Sequence, residues 1–141
     1  HCLILEVTET AAIAEGRIAA QTLAEFEALG VGLSIDDYGT GLSTLEYLRK
    51  IPASELKIDR RFTSELCSSP ADQVVMKSTI QLAHALGMKA CAEGIETAEE
   101  LYILTGMECD VGQGFHLARP GAADDIISLA GQQDILRTLH G

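Results

Sequence analysis

The chain has 141 residues, 47% hydrophobic and 22% charged, the make-up of one globular domain or a piece of a larger one. Acidic residues number 21 against 10 basic, for a formal net charge of -11, which argues against DNA or RNA as a partner. No apolar run reaches the roughly 18–20 residues of a bilayer-spanning helix, and no basic-then-apolar leader opens the chain.

In chain order, Leu3 to Thr8 reads as a buried strand. A helix follows with Leu23, Phe26 and Leu29 on one face and Gly30 as its stop. Val31 to Ile35 is the next strand, ending at Asp36-Asp37. A flexible Gly39-Thr40-Gly41 turn and a short helix over Leu42 to Leu48 come before Pro52. Leu56 to Asp59 is a third strand. Pro70 and Asp72 open a helix running to Gly87, and Met88 to Ala92 is a fourth strand. Thr97 to Leu104 is a helix with Glu99 and Glu100 in its first turn, where the helix dipole favours acids. A fifth short strand is expected near Val111 to Phe115, and helices over Ala122 to Ala130 and Asp134 to Leu139 finish the chain.

Strands alternating with helices, and strand runs that are apolar on both faces, predict a parallel sheet covered on both sides. Roughly five βα units fit either an open doubly wound sheet or part of a (β/α)₈ barrel, which takes about 250 residues when complete. Polar residues separate the two. Glu6, Asp36, Asp37, Lys57, Glu93 and Gln113 each sit within or just after a predicted strand. Burying such groups is costly unless they are paired or bind metal, and a barrel gathers its catalytic groups at the carboxyl ends of its strands. The expectation is therefore an α/β fold, a partial TIM-type (β/α)₈ barrel.

Four carboxylates, Glu6, Asp36, Asp37 and Glu93, come from three strand ends, and converging oxygens suit a hard cation such as Mg²⁺ or Mn²⁺. Adjacent strand residues point to opposite faces, so both members of the Asp36-Asp37 pair can reach one site only where the chain turns. Two ions roughly 3.5–4 Å apart would clamp a phosphodiester. A metal would also reconcile the acidic chain with a small anionic substrate. Lys57 then reads as a point charge on a phosphate oxygen or the attacking water, with a lowered pKa. Glu93 is the candidate general base, and Gln113 a neutral group orienting water or phosphate.

Taken singly, each residue has a plainer reading. Asp36 or Asp37 can cap the Gly39 turn, Lys57 can be a snorkelling rim residue, and His84 reads as surface or core packing. Glu9 caps the following helix or anchors the Asp37–Leu45 loop. Cys2, Cys67, Cys91 and Cys109 have no zinc-ligand spacing, which fits a reduced, cytoplasmic protein.

Five segments carry a resemblance: Leu5-Glu6-Val7-Thr8-Glu9-Thr10, Asp36 through Leu45, Lys57-Ile58-Asp59-Arg60, Ala92 through Thr97, and Gln113-Gly114-Phe115 on to Pro120. In order and spacing they resemble the successive signatures of EAL domains. The resemblance implies a modified (β/α)₈ barrel and metal-dependent hydrolysis of cyclic di-GMP to linear pGpG. On that pattern Glu6 matches a metal ligand, Asp36 the ligand shared between two ions, and Asp37 the ligand of the second. Lys57 matches the catalytic lysine near the attacking water, Glu93 the catalytic glutamate, and Gln113 the glutamine near the water. Glu9 matches the glutamate holding the substrate and dimerisation loop, and Asp59 and Glu96 are supporting acids.

The chain departs from that pattern by mild changes at Tyr38 and Leu42 and by the naming Glu-Ala-Leu strand. That strand, with its arginine and the asparagine ligand of the strand after it, is expected upstream of His1. The expectation is thus the carboxyl-terminal portion, residues 1–141, of an EAL domain, inactive by itself. With the opening strands absent, the Leu3–Thr8 edge would be uncovered, which predicts a homo-oligomer. Two rivals are a non-catalytic module binding cyclic di-GMP or a protein, and another Mg²⁺-dependent barrel enzyme using Lys57 as a Schiff base.

Overall fold

The computed structural model describes residues 3–8, 16–39 and 48–122. Among the described residues nine elements follow one another: β1 (Ile4–Thr8), α1 (Gly16–Ala28), β2 (Gly32–Tyr38), β3 (Glu55–Ile58), α2 (Arg60–Ser64), α3 (Pro70–Ala85), β4 (Lys89–Ala92), α4 (Ala98–Gly106) and β5 (Val111–Gly112). The helices expected over 42–48, 122–130 and 134–139 fall outside the described residues, as do Glu9 and most of the 37–45 loop.

All neighbouring strands are parallel, and their spatial order β1-β2-β3-β4-β5 repeats the sequence order. A doubly wound sheet reverses its order at a switch point, whereas a barrel wall never does. The order therefore favours the barrel.

Alternation along the strands divides the sheet into two chemistries. Leu33 and Ile35 of β2, Leu56 and Ile58 of β3, and Ala90 and Ala92 of β4 are buried against Leu23, Met76, Ile80, Ala83 and Leu104 of the helices. Leu5 and Val7 of β1 join this core from its edge. Each fully buried Leu or Ile stabilises the fold by about 1.5–3 kcal/mol. With a period of two, the opposite face receives Glu6, Ser34, Asp36, Glu55, Lys57 and Cys91. The Ser34 hydroxyl, fully buried, donates to Glu55 Oε1 at 2.9 Å.

Local signals set the helix ends. Ser69 caps α3, accepting from the Asp72 amide at 3.2 Å one residue ahead of Pro70, and Gly87 with φ 77° closes it. Thr97 and Glu100 form a capping box on α4. Glu100 also accepts from the Glu96 amide at 2.7 Å, which pins the chain just after Glu93. The short helix α2 is absent from the sequence-based expectation, which ran strand straight into loop. Asp59, expected at the end of β3, is its N-cap, accepting from the Arg61 amide at 2.9 Å.

Candidate active site

β2 and β3 pair at Ser34–Glu55 and Ile35–Leu56, then resume at Tyr38–Ile58. Asp36 and Asp37 thus stand opposite the single residue Lys57, which is a β-bulge. Asp37 has a left-handed φ of 57°, a region Asp enters more readily than most side chains. The sequence places the strand's end at this pair and assigns their convergence to a turn. The strand instead continues to Tyr38, and the bulge does what the turn was expected to do. One oxygen from each of Asp36, Asp37 and Glu93 lies within 4.8 Å of the others.

Lys57 is the centre of the cluster. Its Nζ lies 2.7 Å from Glu93 Oε1, 2.9 Å from Glu6 Oε1 and 3.1 Å from Asp36 Oδ1, and its side chain is 5% exposed. Burial by itself would lower the ammonium pKa. The close Glu93, Glu6 and Asp36 carboxylates outweigh burial and hold it above the ordinary lysine value. The expectation of a lowered pKa is therefore corrected: the three carboxylates around Lys57 favour its charged form.

Asp36 Oδ1 is buried and, although 3.1 Å from Lys57 Nζ, meets no donor in full hydrogen-bonding geometry. A buried carboxylate oxygen with a lone pair to spare, on a residue grouped with Asp37 and Glu93, is what a hard cation binds. An all-oxygen donor set with no thiolate or imidazole suits Mg²⁺ or Mn²⁺ over zinc. The residues present fit such an ion.

The remaining candidates sit around this cluster. Gln113 is exposed just past β5, and its carbonyl accepts from the Ile95 amide at 3.0 Å, joining it to the Glu93 segment. The His116 amide donates to the Ile95 carbonyl at 3.0 Å, and Gly114 lies so close to the Ile95 backbone that no side chain fits. Asp59 Oδ1 also accepts from Arg61 Nε at 2.9 Å, and the carboxyl reaches that of Asp37. Glu96 is not brought into the cluster: it stands at the surface, 4.0 Å from Arg60 Nη2. Cys91 is buried beside Lys57, its thiol pushed up to about 12 mainly by burial, so it is not a nucleophile.

Sequence reasoning missed two supports. Phe62 of α2 lies against Gly39, two residues after the Asp pair. Asp110 Oδ2 accepts from the Ala90 amide at 2.8 Å and meets His84 Nε2 at 2.7 Å, tying α3 to the strand that leads to Glu93. An Asp three residues before an aromatic could have been read as a helix cap; the Asp110 pairing has no local signal.

Residues 1–120 match the family model described as EAL domain. The chain belongs to the EAL domain family. It is 44% identical over 126 residues to the bifunctional diguanylate cyclase/cyclic di-GMP phosphodiesterase MucR of Pseudomonas aeruginosa, covering 89% of this chain and 18% of MucR. The solved cyclic di-GMP complex of the MucR phosphodiesterase superposes with a TM-score of 0.83, covering 88% of this chain and 50% of that one. The EAL domain of Mycobacterium smegmatis DcpA gives 0.85 at 36% identity, covering 92% and 58%. A manganese and cyclic di-GMP complex of Klebsiella pneumoniae BlrP1 gives 0.77 at 32% identity, covering 83% and 30%. The chain therefore spans less than a fifth of MucR and about half of its solved phosphodiesterase. The parallel βα units of this EAL chain are part of the family's TIM-type barrel. The tripeptide Glu27-Ala28-Leu29 is not the naming signature of the family, which lies on a strand. It closes α1, and Leu29 is 78% exposed.

Proposed function

We propose that this EAL chain carries the Lys57-centred half of a cation-dependent cyclic di-GMP phosphodiesterase site. The observation that supports it is Lys57 Nζ within 3.1 Å of Glu6, Asp36 and Glu93, with Asp37 brought alongside by the bulge. Hydrolysis of a phosphodiester requires positive charge on the phosphate oxygens, a base for the attacking water and groups that hold both in line.

Lys57 supplies the fixed positive charge, aimed at a phosphate oxygen from a dry position. Glu93 engages Lys57 through Oε1, so Oε2 is the oxygen that takes the proton from the attacking water. Gln113, exposed beside it, offers an amide to orient the water or a phosphate oxygen. Asp36 and Asp37, whose oxygens group with that of Glu93, would hold Mg²⁺ or Mn²⁺, with Glu6, which stands on Lys57 outside that group, as a further ligand. The complete site would take two ions, and Asp59 and Glu96 support from outside. The bound cations supply Lewis-acid polarisation of the phosphodiester. Glu9, outside the described residues, would anchor the 37–45 loop.

The reading extends to the whole chain. Residues 1–141 act as the carboxyl-terminal portion of an EAL domain in the cytoplasm, with further ligands on strands preceding Leu3. Hydrolysis by these 141 residues alone is then at least about a hundredfold below that of a complete domain, since lost ligands commonly cost 10–100-fold each. β1 is the edge of the described sheet, and on this reading the chain assembles as a homo-oligomer through it. No helix among the described residues is long and apolar enough to cross a membrane.

The test is paired. Mn²⁺ binding, followed by water-proton relaxation, is expected in this chain and lost in Asp36→Asn; equal binding by the variant would move the cation elsewhere. Conversion of cyclic di-GMP to pGpG is measured alongside, and a rate matching the complete MucR phosphodiesterase would overturn the half-site. A sharp monomer of 15.0 kDa in light scattering would overturn the oligomer.

A further inference from the structure

The Asp36-Asp37 bulge leaves β2 through two left-handed residues, Asp37 at φ 57° and Gly39 at φ 96°, with Tyr38 between them. Such a path needs something to hold it, because a bulge gives up ladder bonds just where two like charges are brought together. On one side the strand is held by Tyr38 paired to Ile58. On the other, a methyl group at Gly39 would meet the Phe62 ring at 2.7 Å and 3.0 Å, so ring and backbone are in direct contact.

Phe62 is itself held. It lies on α2, which begins one residue after Asp59, and its amide donates to the Asp59 carbonyl at 3.1 Å. The ring packs on the hydrophobic core below. The helix that carries it follows β3, the strand of Lys57, so one stretch of chain sets both the lysine and the aromatic stop for the bulge.

We propose that Phe62 is a positioning residue for the Asp36-Asp37 carboxylate pair, its ring backing Gly39 so that the bulge keeps both carboxylates beside Glu93. The inference rests on the cation-site reading above. Without the ring, Gly39 has room to move, Asp37 can leave its left-handed conformation, and its carboxylate swings to the other face of the strand.

The experiment is Mn²⁺ binding to the 141-residue chain by water-proton relaxation, with urea denaturation on the same samples. Phe62→Ala is expected to weaken Mn²⁺ binding at least fivefold, and Phe62→Leu, which keeps volume without a flat ring, by less. Ile80→Val, a core change in α3, should lose stability and keep its Mn²⁺ affinity, which separates positioning from general loosening. Undiminished binding by Phe62→Ala overturns the inference while leaving the cation site standing. If Phe62→Ala does not fold, Phe62→Leu decides by the same comparison. Absence of Mn²⁺ binding by the unaltered chain overturns the cation reading itself, and this inference with it.

Discussion

Asp36 and Asp37 are adjacent in a strand and yet converge with Glu93, because Lys57 alone faces the two of them across the β2–β3 pair. The left-handed backbone at Asp37 is the local cost of that arrangement. Asp37→Ala should be about 1 kcal/mol less stable than Asp37→Gly, since glycine enters that region without penalty. Both variants should lose Mn²⁺ binding equally, as both lack the carboxylate. Urea midpoints compare the two, and equal midpoints would mean that the bulge is not occupied in solution.

Lys57 bridges three acids, so its removal should be costly. Lys57→Met is expected to lose about 3 kcal/mol at neutral pH, the scale of breaking a buried pair from one side. The lysine pKa is raised on folding from 10.5. Its contribution is therefore complete below about 10.5 and fades as pH rises through the higher folded value. The gap between the two proteins should narrow only in strong alkali. A gap that shrinks between pH 7 and 9 would contradict this.

Two glycines beside Ile95 should behave differently. A methyl at Gly114 would sit inside van der Waals contact with the Ile95 backbone, whereas one at Gly112 would meet side-chain ends, Ile95 Cδ1 at 2.7 Å and Leu117 Cδ1 at 3.3 Å. Gly114→Ala should cost about 3 kcal/mol or more, with no relief from trimming Ile95. Gly112→Ala should cost less, and adding Ile95→Val, which removes Cδ1, should recover part of it. Thermal melts of the four proteins test this, and recovery of Gly114→Ala by Ile95→Val would refute the backbone contact.

The Asp110 lock predicts an acid-sensitive contribution. Burial alone would raise its pKa, but the Ala90 amide and His84 hold it below the usual carboxylate value of 3.8. The stability from Asp110 is thus present above 3.8 and lost as pH falls through the lower folded value. Asp110→Asn should cost about 1 kcal/mol at pH 7, a modest figure because the pair is partly exposed, and less at pH 2. His84→Ala should cost less, since the Ala90 amide keeps its acceptor. Urea titrations at both pH values decide the matter.

The alternation of strands and helices, the ends of α3 and α4, and strand ends loaded with Glu6, Asp36, Lys57 and Glu93 were all legible in the amino-acid order. They depend on periodicity and on capping, which act within a few residues. Motif spacing likewise carried the family, because each signature sits on its own βα unit and is read without knowing how the units pack. Tertiary structure decided the rest. Whether Asp36 and Asp37 share a face depended on a register shift against β3, a partner some 20 residues away in sequence. The direction of the Lys57 pKa shift depended on which acids surround it, and burial alone, the one part a sequence hints at, has the opposite sign. Phe62 against Gly39 and Asp110 against Ala90 are contacts of atoms, with no periodicity to announce them. Local chemistry could be read along the chain; charge balance and backbone strain at the site required the neighbours that only folding brings.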